Sequence, residues 1–298
     1  MTRLNANLLL LLTGAIWGMG FVSQSMAMDR IGPLLFVGLR FAIAFLTILP
    51  LALREWRDAE RPLSARDWSG FFVVGLTLFG GAATQQIGIT TTTVTHSGFL
   101  TGLYVVMVPF LGLIIFRQLP HPVVWPAAGC ALAGIYLLSG GSMSELGRGD
   151  WLTILCAVFW ALQILFVARF TGARPMALST VQFAVCAVLS LAGAALAEPV
   201  EASAIVATGP ELLFAGIFSS GIAFTLQIVG QRHTTAPQAA IFLSSEALFA
   251  AFFGALFLGE RMTLASYAGC LLIFASMIAV EVVPMLTGSR RRLREAER

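Results

Sequence analysis

Apolar runs of about 17–25 residues, the length that crosses a bilayer as helix, fill the chain and alternate with short polar stretches. They predict helices at Asn5–Met26, Leu34–Leu53, Trp68–Ile89, Ser97–Phe116 and Val123–Ser139, then Trp151–Phe170, Ala177–Ala197, Glu211–Gly230, Pro237–Leu258 and Thr263–Val283. Pro33, Pro210 and Pro237 fall at or near a first turn, where a missing N–H costs nothing. Pro109 lies mid-run and is expected to kink the fourth helix.

The pattern occurs twice. Trp17 is echoed by Trp160 about 143 residues on, Arg40-Phe41 by Gln182-Phe183 about 142 on, and Gly129-Cys130 by Gly269-Cys270 about 140 on. A unit of five spans is odd in number, so a second copy enters the bilayer from the opposite side. The expected fold is an all-α integral membrane protein of ten transmembrane helices in two inverted five-helix repeats. The first repeat is residues 1–143, the second 150–285, and a basic tail occupies 286–298.

Polar residues fall in helical stripes, three, four or seven apart. The first helix aligns Thr13, Trp17, Gly20 and Gln24, and the sixth aligns Thr153, Cys156, Trp160 and Gln163. The third carries Thr77, Gly81, Thr84 and Gln85, and the fourth Ser97, Thr101 and Tyr104. The eighth carries Ser220, Phe224, Gln227 and Gln231, and the ninth Gln238, Phe242, Ser245 and Phe249 beside Glu246. Lipid satisfies none of these groups, so they face protein or a water-filled cavity. Helix–helix hydrogen bonding accounts for any one Ser or Thr; concerted stripes with mirrored tryptophans point to a central pathway. The fifth and tenth helices, rich in Ala and Gly, read as close packing instead.

Two charges lie inside spans: Arg40 in the second helix and Glu246 in the ninth. An ion at the bilayer centre costs about 2.5–3.5 kcal/mol on insertion scales, so each needs a partner or water. Glu246 either binds a substrate amine, carries a proton or bonds a neighbouring helix. Arg40, whose helix lacks a full polar stripe, reads as structural or as a receptor for an anionic group.

Composition agrees: 58% of residues are hydrophobic and 11% charged, against about 25% charged in soluble domains. Lysine is absent, so arginine carries the topology. With a cytoplasmic N-terminus, Arg3, Arg54, Arg57, Arg61, Arg66, Arg117, Arg169, Arg174, Arg232, Arg290, Arg291, Arg292, Arg294 and Arg298 face inward, and only Arg30, Arg148 and Arg261 face out. The net charge of +3 therefore reports orientation and contact with anionic lipid, not nucleic acid. The charged start and Ser25-Met26-Ala27 have the look of a signal peptide, but the echo of this run in the internal Trp160 run argues for retention. Cys130, Cys156, Cys186 and Cys270 have neither metal nor redox spacing. No cofactor or metal is expected.

The second half reads Ala236-Pro237-Gln238-Ala239-Ala240, Ser245-Glu246-Ala247-Leu248-Phe249, Leu258-Gly259-Glu260-Arg261 and then Gly269. The first carries Trp17-Gly18, Arg40-Phe41, Phe99-Leu100-Thr101-Gly102-Leu103 and Val108-Pro109-Phe110. Both halves resemble the EamA repeat of the drug/metabolite transporter superfamily. Ala247 stands where the family usually has Pro, Leu119-Pro120 near the first copy's Gly-Glu, and Gln182 in place of a second Arg40. The resemblance implies a ten-helix bacterial exporter of small metabolites, often amino acids. The expected location is the inner membrane with both termini cytoplasmic, as the arginines indicate, and the oligomeric state is left open, since a monomer can suffice.

The expected partners are a small-molecule substrate and the lipid bilayer. The expected pathway residues are Trp17, Gln24, Thr84, Gln85, Thr101, Tyr104, Trp160, Gln163, Phe224, Gln227, Ser245 and Glu246, with Arg40 and Glu246 as buried charges. A nucleotide-sugar or sugar-phosphate carrier wants several buried cations, and only Arg40 qualifies. An intramembrane enzyme wants a metal pair or a nucleophile with its base, and neither His-Glu-x-x-His nor Gly-x-Ser-x-Gly occurs. A non-transporting sensor has no positive feature in its favour; uptake into proteoliposomes separates it from a transporter. Reporter fusions after Arg66 and Arg174 are expected to read cytoplasmic and one at Glu201 periplasmic; a cytoplasmic signal at Glu201 overturns both the orientation and the inversion.

Overall fold

A computed structural model describes residues 1–91, 94–138, 147–172, 174–258 and 263–296. Every regular element among them is helical. The first half holds α1 (Arg3–Ala27), α2 (Pro33–Arg57), α3 (Ala65–Ile89), α4 (Val94–Thr101), α5 (Tyr104–Phe116) and α6 (Val124–Leu138). The second holds α7 (Arg148–Phe170), α8 (Pro175–Ala197), α9 (Ala202–Ala207), α10 (Gly209–Leu213), a π-helical segment (Phe214–Ile222), α11 (Ala223–Gln231), α12 (Ala236–Leu243), α13 (Glu246–Leu258) and α14 (Leu264–Ala296). Eight helical stretches among the described residues are long and apolar enough to cross a membrane, and Tyr104–Phe116 and Val124–Leu137 are shorter apolar helices.

The neighbours of each helix repeat between halves. α2 lies against α8, and α6 against α14. α1 packs on the α10–α11 column and on α13, while α7 packs on α3 and on α4 and α5. Individual contacts mirror too. A Cβ added to Gly75 would come within 2.7 Å of Val185 Cβ, and one added to Gly216 within 2.6 Å of Ile43 Cβ. The small-residue fifth and tenth helices do approach closely: a Cβ on Gly134 would lie 2.7 Å from the Gly269 carbonyl oxygen.

One pair of interactions ties the halves at both ends of the bundle. The Glu55 carboxylate, in the last turn of α2, accepts the backbone N–H groups of Met176 (3.2 Å) and Ala177 (2.8 Å) at the start of α8. The Glu198 carboxylate, just beyond α8, accepts those of Leu34 and Leu35 at the start of α2, both at 2.8 Å. Both helices open with proline, Pro33 and Pro175, and neither has a side-chain cap of its own. Each acid therefore satisfies orphan donors and meets the positive end of the partner's dipole. The exchange requires α2 and α8 to run antiparallel.

Two expected spans are broken. The fourth splits at Gly102-Leu103, between α4 and α5, through a tight turn in which Leu103 N–H reaches Leu100 O and Val105 N–H reaches Gly102 O. Pro109, the expected kink, sits inside α5. The ninth splits at Ser244-Ser245, between α12 and α13, where Ser245 N–H reaches Phe242 O and Ala247 N–H reaches Ser244 O. Both turns use i to i−3 bonding, which keeps the backbone satisfied and leaves no gap in hydropathy. The breaks stand 142 residues apart, so Tyr104 opening α5 corresponds to Glu246 opening α13.

The caps carry a prediction. Replacing Glu55 or Glu198 by Ala removes two charge-assisted bonds and is expected to destabilise by about 1 kcal/mol each, read as a lower melting temperature of the detergent-solubilised protein, with the Gln variants closer to the parent. Unchanged melting of both Ala variants would remove the caps from the account.

Candidate functional site

The two broken helices and the two tryptophan helices converge on a cavity of about 40 Å³, room for a few waters. From the first half it is lined by Trp17, Phe21 and Gln24 of α1, Arg40 of α2, Gln85 of α3, Thr101 of α4 and Tyr104 of α5. From the second come Trp160, Gln163 and Ile164 of α7, Ser219 of the π-helical segment, Phe224 and Gln227 of α11, and Glu246 of α13.

Phe224 is the aromatic hub. Its ring stands 4.7 Å from Trp17 and 5.6 Å from Trp160, stacked on the latter at 25°. Phe41 and Phe183, the mirrored pair on α2 and α8, touch each other at 5.8 Å and reach Phe224 at 5.9 and 6.4 Å. The Trp17 indole N–H donates to the Ser219 carbonyl at 2.9 Å, fixing that ring against the π-helical segment. Such segments widen a helix and expose carbonyls, a common device at functional sites.

Glutamines line the polar side. Gln227 Nε2 donates to Gln163 Oε1 at 2.9 Å, and Gln163 Nε2 donates to Gln182 Oε1 at 3.2 Å, joining α11, α7 and α8. Gln85 Nε2 donates to Thr101 Oγ1 at 3.1 Å. Gln182 occupies the place that Arg40 holds in the first copy, and there it serves as an amide acceptor that a guanidinium could not replace.

The charges do not pair. Arg40 is 3% exposed, and its guanidinium lies 4.9 Å from the Phe41 ring centroid and 5.7 Å from that of Phe36. Cation–π contacts offset about 2 kcal/mol of a desolvated charge at best, and Arg40 Nε has no hydrogen-bond partner. Glu246 is 8% exposed, and the Tyr104 hydroxyl, on the same cavity's lining, is buried without a hydrogen-bond partner. No ion pair joins it to Arg40, although both line the same space. Gln24 Oε1 and Gln227 Oε1 are likewise buried without partners. The chemistry on offer is one cation, one anion, spare amide acceptors and a flat aromatic wall.

Of the residues expected from sequence, Trp17, Gln24, Gln85, Thr101, Tyr104, Trp160, Gln163, Phe224, Gln227, Glu246 and Arg40 meet at this cavity. Thr84 does not: its hydroxyl donates back to the Gly80 carbonyl at 2.6 Å. Ser245 turns toward α1, where a Cβ on Gly14 would collide with its Oγ. Phe21, Ile164 and Ser219 were not foreseen. Phe21 and Ile164 carry no polar mark. Ser219 replaces the expected Ser220 because the π-helical segment shifts the register of its face.

A second, wider cavity of about 700 Å³ opens at the bundle end that carries the N-terminus. It lies one to two turns from the first along the same helices, with Leu165 and Ala168 following Ile164 on α7 and Gln231 following Gln227 on α11. Between the two, Gln231 Nε2 donates to the Ile164 carbonyl at 3.0 Å.

Known proteins resemble this chain. A transporter of uncharacterised function from Archaeoglobus fulgidus is 30% identical over 284 residues, 94% of this chain and 87% of that protein. An uncharacterised protein from Haemophilus influenzae is 26% identical over 102 residues, 34% of this chain and 77% of that protein. A solved crystal structure superposes with a TM-score of 0.77 at 17% identity, covering 95% of this chain and 98% of that one, which speaks to the fold. The EamA-like transporter family matches twice, at residues 4–140 and 147–281. With both halves of the bundle matched, the chain belongs to the EamA-like transporter family and is a multi-pass membrane protein.

Proposed function

We propose that this transporter exports small zwitterionic metabolites, amino acids foremost, by alternating access, and that the central cavity is its substrate site. Counting α4–α5 and α12–α13 each as one broken span, the chain crosses ten times. The antiparallel course of α2 and α8, fixed by the reciprocal caps, supports inversion of the two halves. The arginine bias supports a cytoplasmic location for both termini, and we assign the protein to a bacterial inner membrane.

One observation carries the substrate class: Arg40 and Glu246 line one small cavity as unpaired opposite charges. A zwitterion answers both, its carboxylate on Arg40 and its ammonium on Glu246, while Trp17, Trp160 and Phe224 receive the side chain. A buried carboxylate cannot stay bare in low dielectric while the empty carrier returns. A proton then takes the ammonium's place on Glu246, so export of substrate is exchanged for proton uptake. The cavity is small, about 40 Å³, and on this reading it widens to admit substrate when the half-helices beside Tyr104 and Glu246 move.

Two variants test this in proteoliposomes. Arg40→Gln removes a charge-assisted bond to the carboxylate and is expected to raise the KM for amino-acid counterflow at least about tenfold. Its melting temperature is expected to hold or rise, because an unpaired buried charge is lost; a fall in stability with unchanged KM would make Arg40 structural. Glu246→Gln is expected to abolish efflux driven by a pH gradient while exchange persists at a higher KM. A well-folded Glu246→Gln protein with normal pH-driven efflux would remove Glu246 from the mechanism.

A further inference from the structure

The wider cavity at the N-terminal end has a composition unlike the rest of that surface. Arg3, Arg169, Arg232, His121 and His233 line it, and no described acidic side chain does. Arginines on the cytoplasmic side are ordinary for orientation. Elsewhere at that end, however, acids are interspersed: the segment with Arg54, Arg57, Arg61 and Arg66 also carries Glu55, Asp58, Glu60 and Asp67. Among the described residues, the charged side chains lining the cavity are of one sign.

Two further features face the same way. The first turn of α12, from Thr235 to Gln238, lines the cavity and presents the positive end of a helix dipole. Thr171, 5% exposed, lines it as well, and its buried hydroxyl has no hydrogen-bond partner. Concave walls of low dielectric focus such a field and raise the local concentration of counter-ions by about tenfold or more. The vestibule leads along α7 and α11 toward Arg40.

We propose that this vestibule gathers and weakly binds soluble organic anions, through a carboxylate or phosphate, and that it is the cargo's carboxylate that it draws in. The identity of the anion as cargo rests on the transport reading above; the binding does not.

The test reads local potential directly. The protein, with Cys130 and Cys270 replaced by Ala and held in phosphatidylcholine nanodiscs, receives one thiol through Gln118→Cys in the vestibule, or through Glu60→Cys as an exposed reference. Sulfonate-bearing and trimethylammonium-bearing methanethiosulfonate reagents are timed at each thiol. The anionic-to-cationic rate ratio is expected to be about tenfold higher in the vestibule than at the reference. Combining Arg169→Gln with Arg232→Gln should bring it to within about twofold of the reference, and millimolar succinate or inorganic phosphate should slow the sulfonate reagent only in the vestibule. Equal ratios at the two sites would overturn the proposal. So would slowing by anionic lipid but not by succinate or phosphate, which would make the vestibule a seat for lipid headgroups. Neither readout involves transport, so failure here leaves the exporter reading standing, and failure of transport leaves the potential measurable.

Discussion

Hydrocarbon offers an amide or a charge nothing to bind, so every polar group in a spanning element has to be answered within the protein. This constraint shapes the molecule at each level. It makes the apolar runs helical. It confines the breaks in the fourth and ninth spans to tight turns at the protein interior, where Leu103 and Ser245 recover partners three residues back. It gives the proline-led starts of α2 and α8 their only side-chain acceptors, Glu198 and Glu55, each supplied by the opposite half. Polar atoms without a hydrogen-bond partner on Gln24, Arg40, Tyr104, Trp160 and Gln227 line the central cavity, while others, on Gln86 and Ser190 among them, lie elsewhere in the bundle.

A twofold repeat would ordinarily build two equal sites. Here substitutions at matching positions merge them into one. Arg40 in the first copy is Gln182 in the second, where the amide joins the Gln163–Gln227 chain. Tyr104, opening the second half of one broken helix, is Glu246 in the other. Phe224 fills the space between the tryptophans, whereas the corresponding stretch of α3, Gly80-Gly81-Ala82-Ala83, is small enough for the Trp160 ring to lie against Gly81. One cation, one acid and one aromatic hub result, each contributed once. Symmetry supplies the frame, and its violation supplies the mixed chemistry of the cavity lining.

Much of this was legible in the chain. Apolar length located most of the helices to within a few residues, although α14 runs on to Ala296, past the expected end at Val283, and the short polar-flanked α9 was not expected. The echo of Trp17 in Trp160 placed both rings at the cavity. Stripe spacing found most of the lining because helices are regular over a few turns. What it missed lay where regularity fails. The breaks at Gly102-Leu103 and Ser244-Ser245 leave hydropathy untouched, so the proline at 109 drew attention away from them. The π-helical segment moved the face of the eighth span from Ser220 to Ser219. Glu55 and Glu198 read as loop charges because their partners lie more than a hundred residues away. Their spacing of 143, matching that of the tryptophans, was the available signal. Arg40 lacked a polar stripe because its companions come from other helices.

The central claim is that the unpaired Arg40 and Glu246 wait for the two ends of one zwitterion. Thermal melting of the purified protein across the twenty amino acids, followed by the methyl ester and N-acetyl derivative of any that stabilises, tests it most directly, since a ligand that binds the folded state raises its melting temperature. The account predicts stabilisation by the free amino acid and its loss in both derivatives, one lacking the carboxylate and the other the ammonium. A derivative missing either charge that stabilises as strongly as its parent would contradict it.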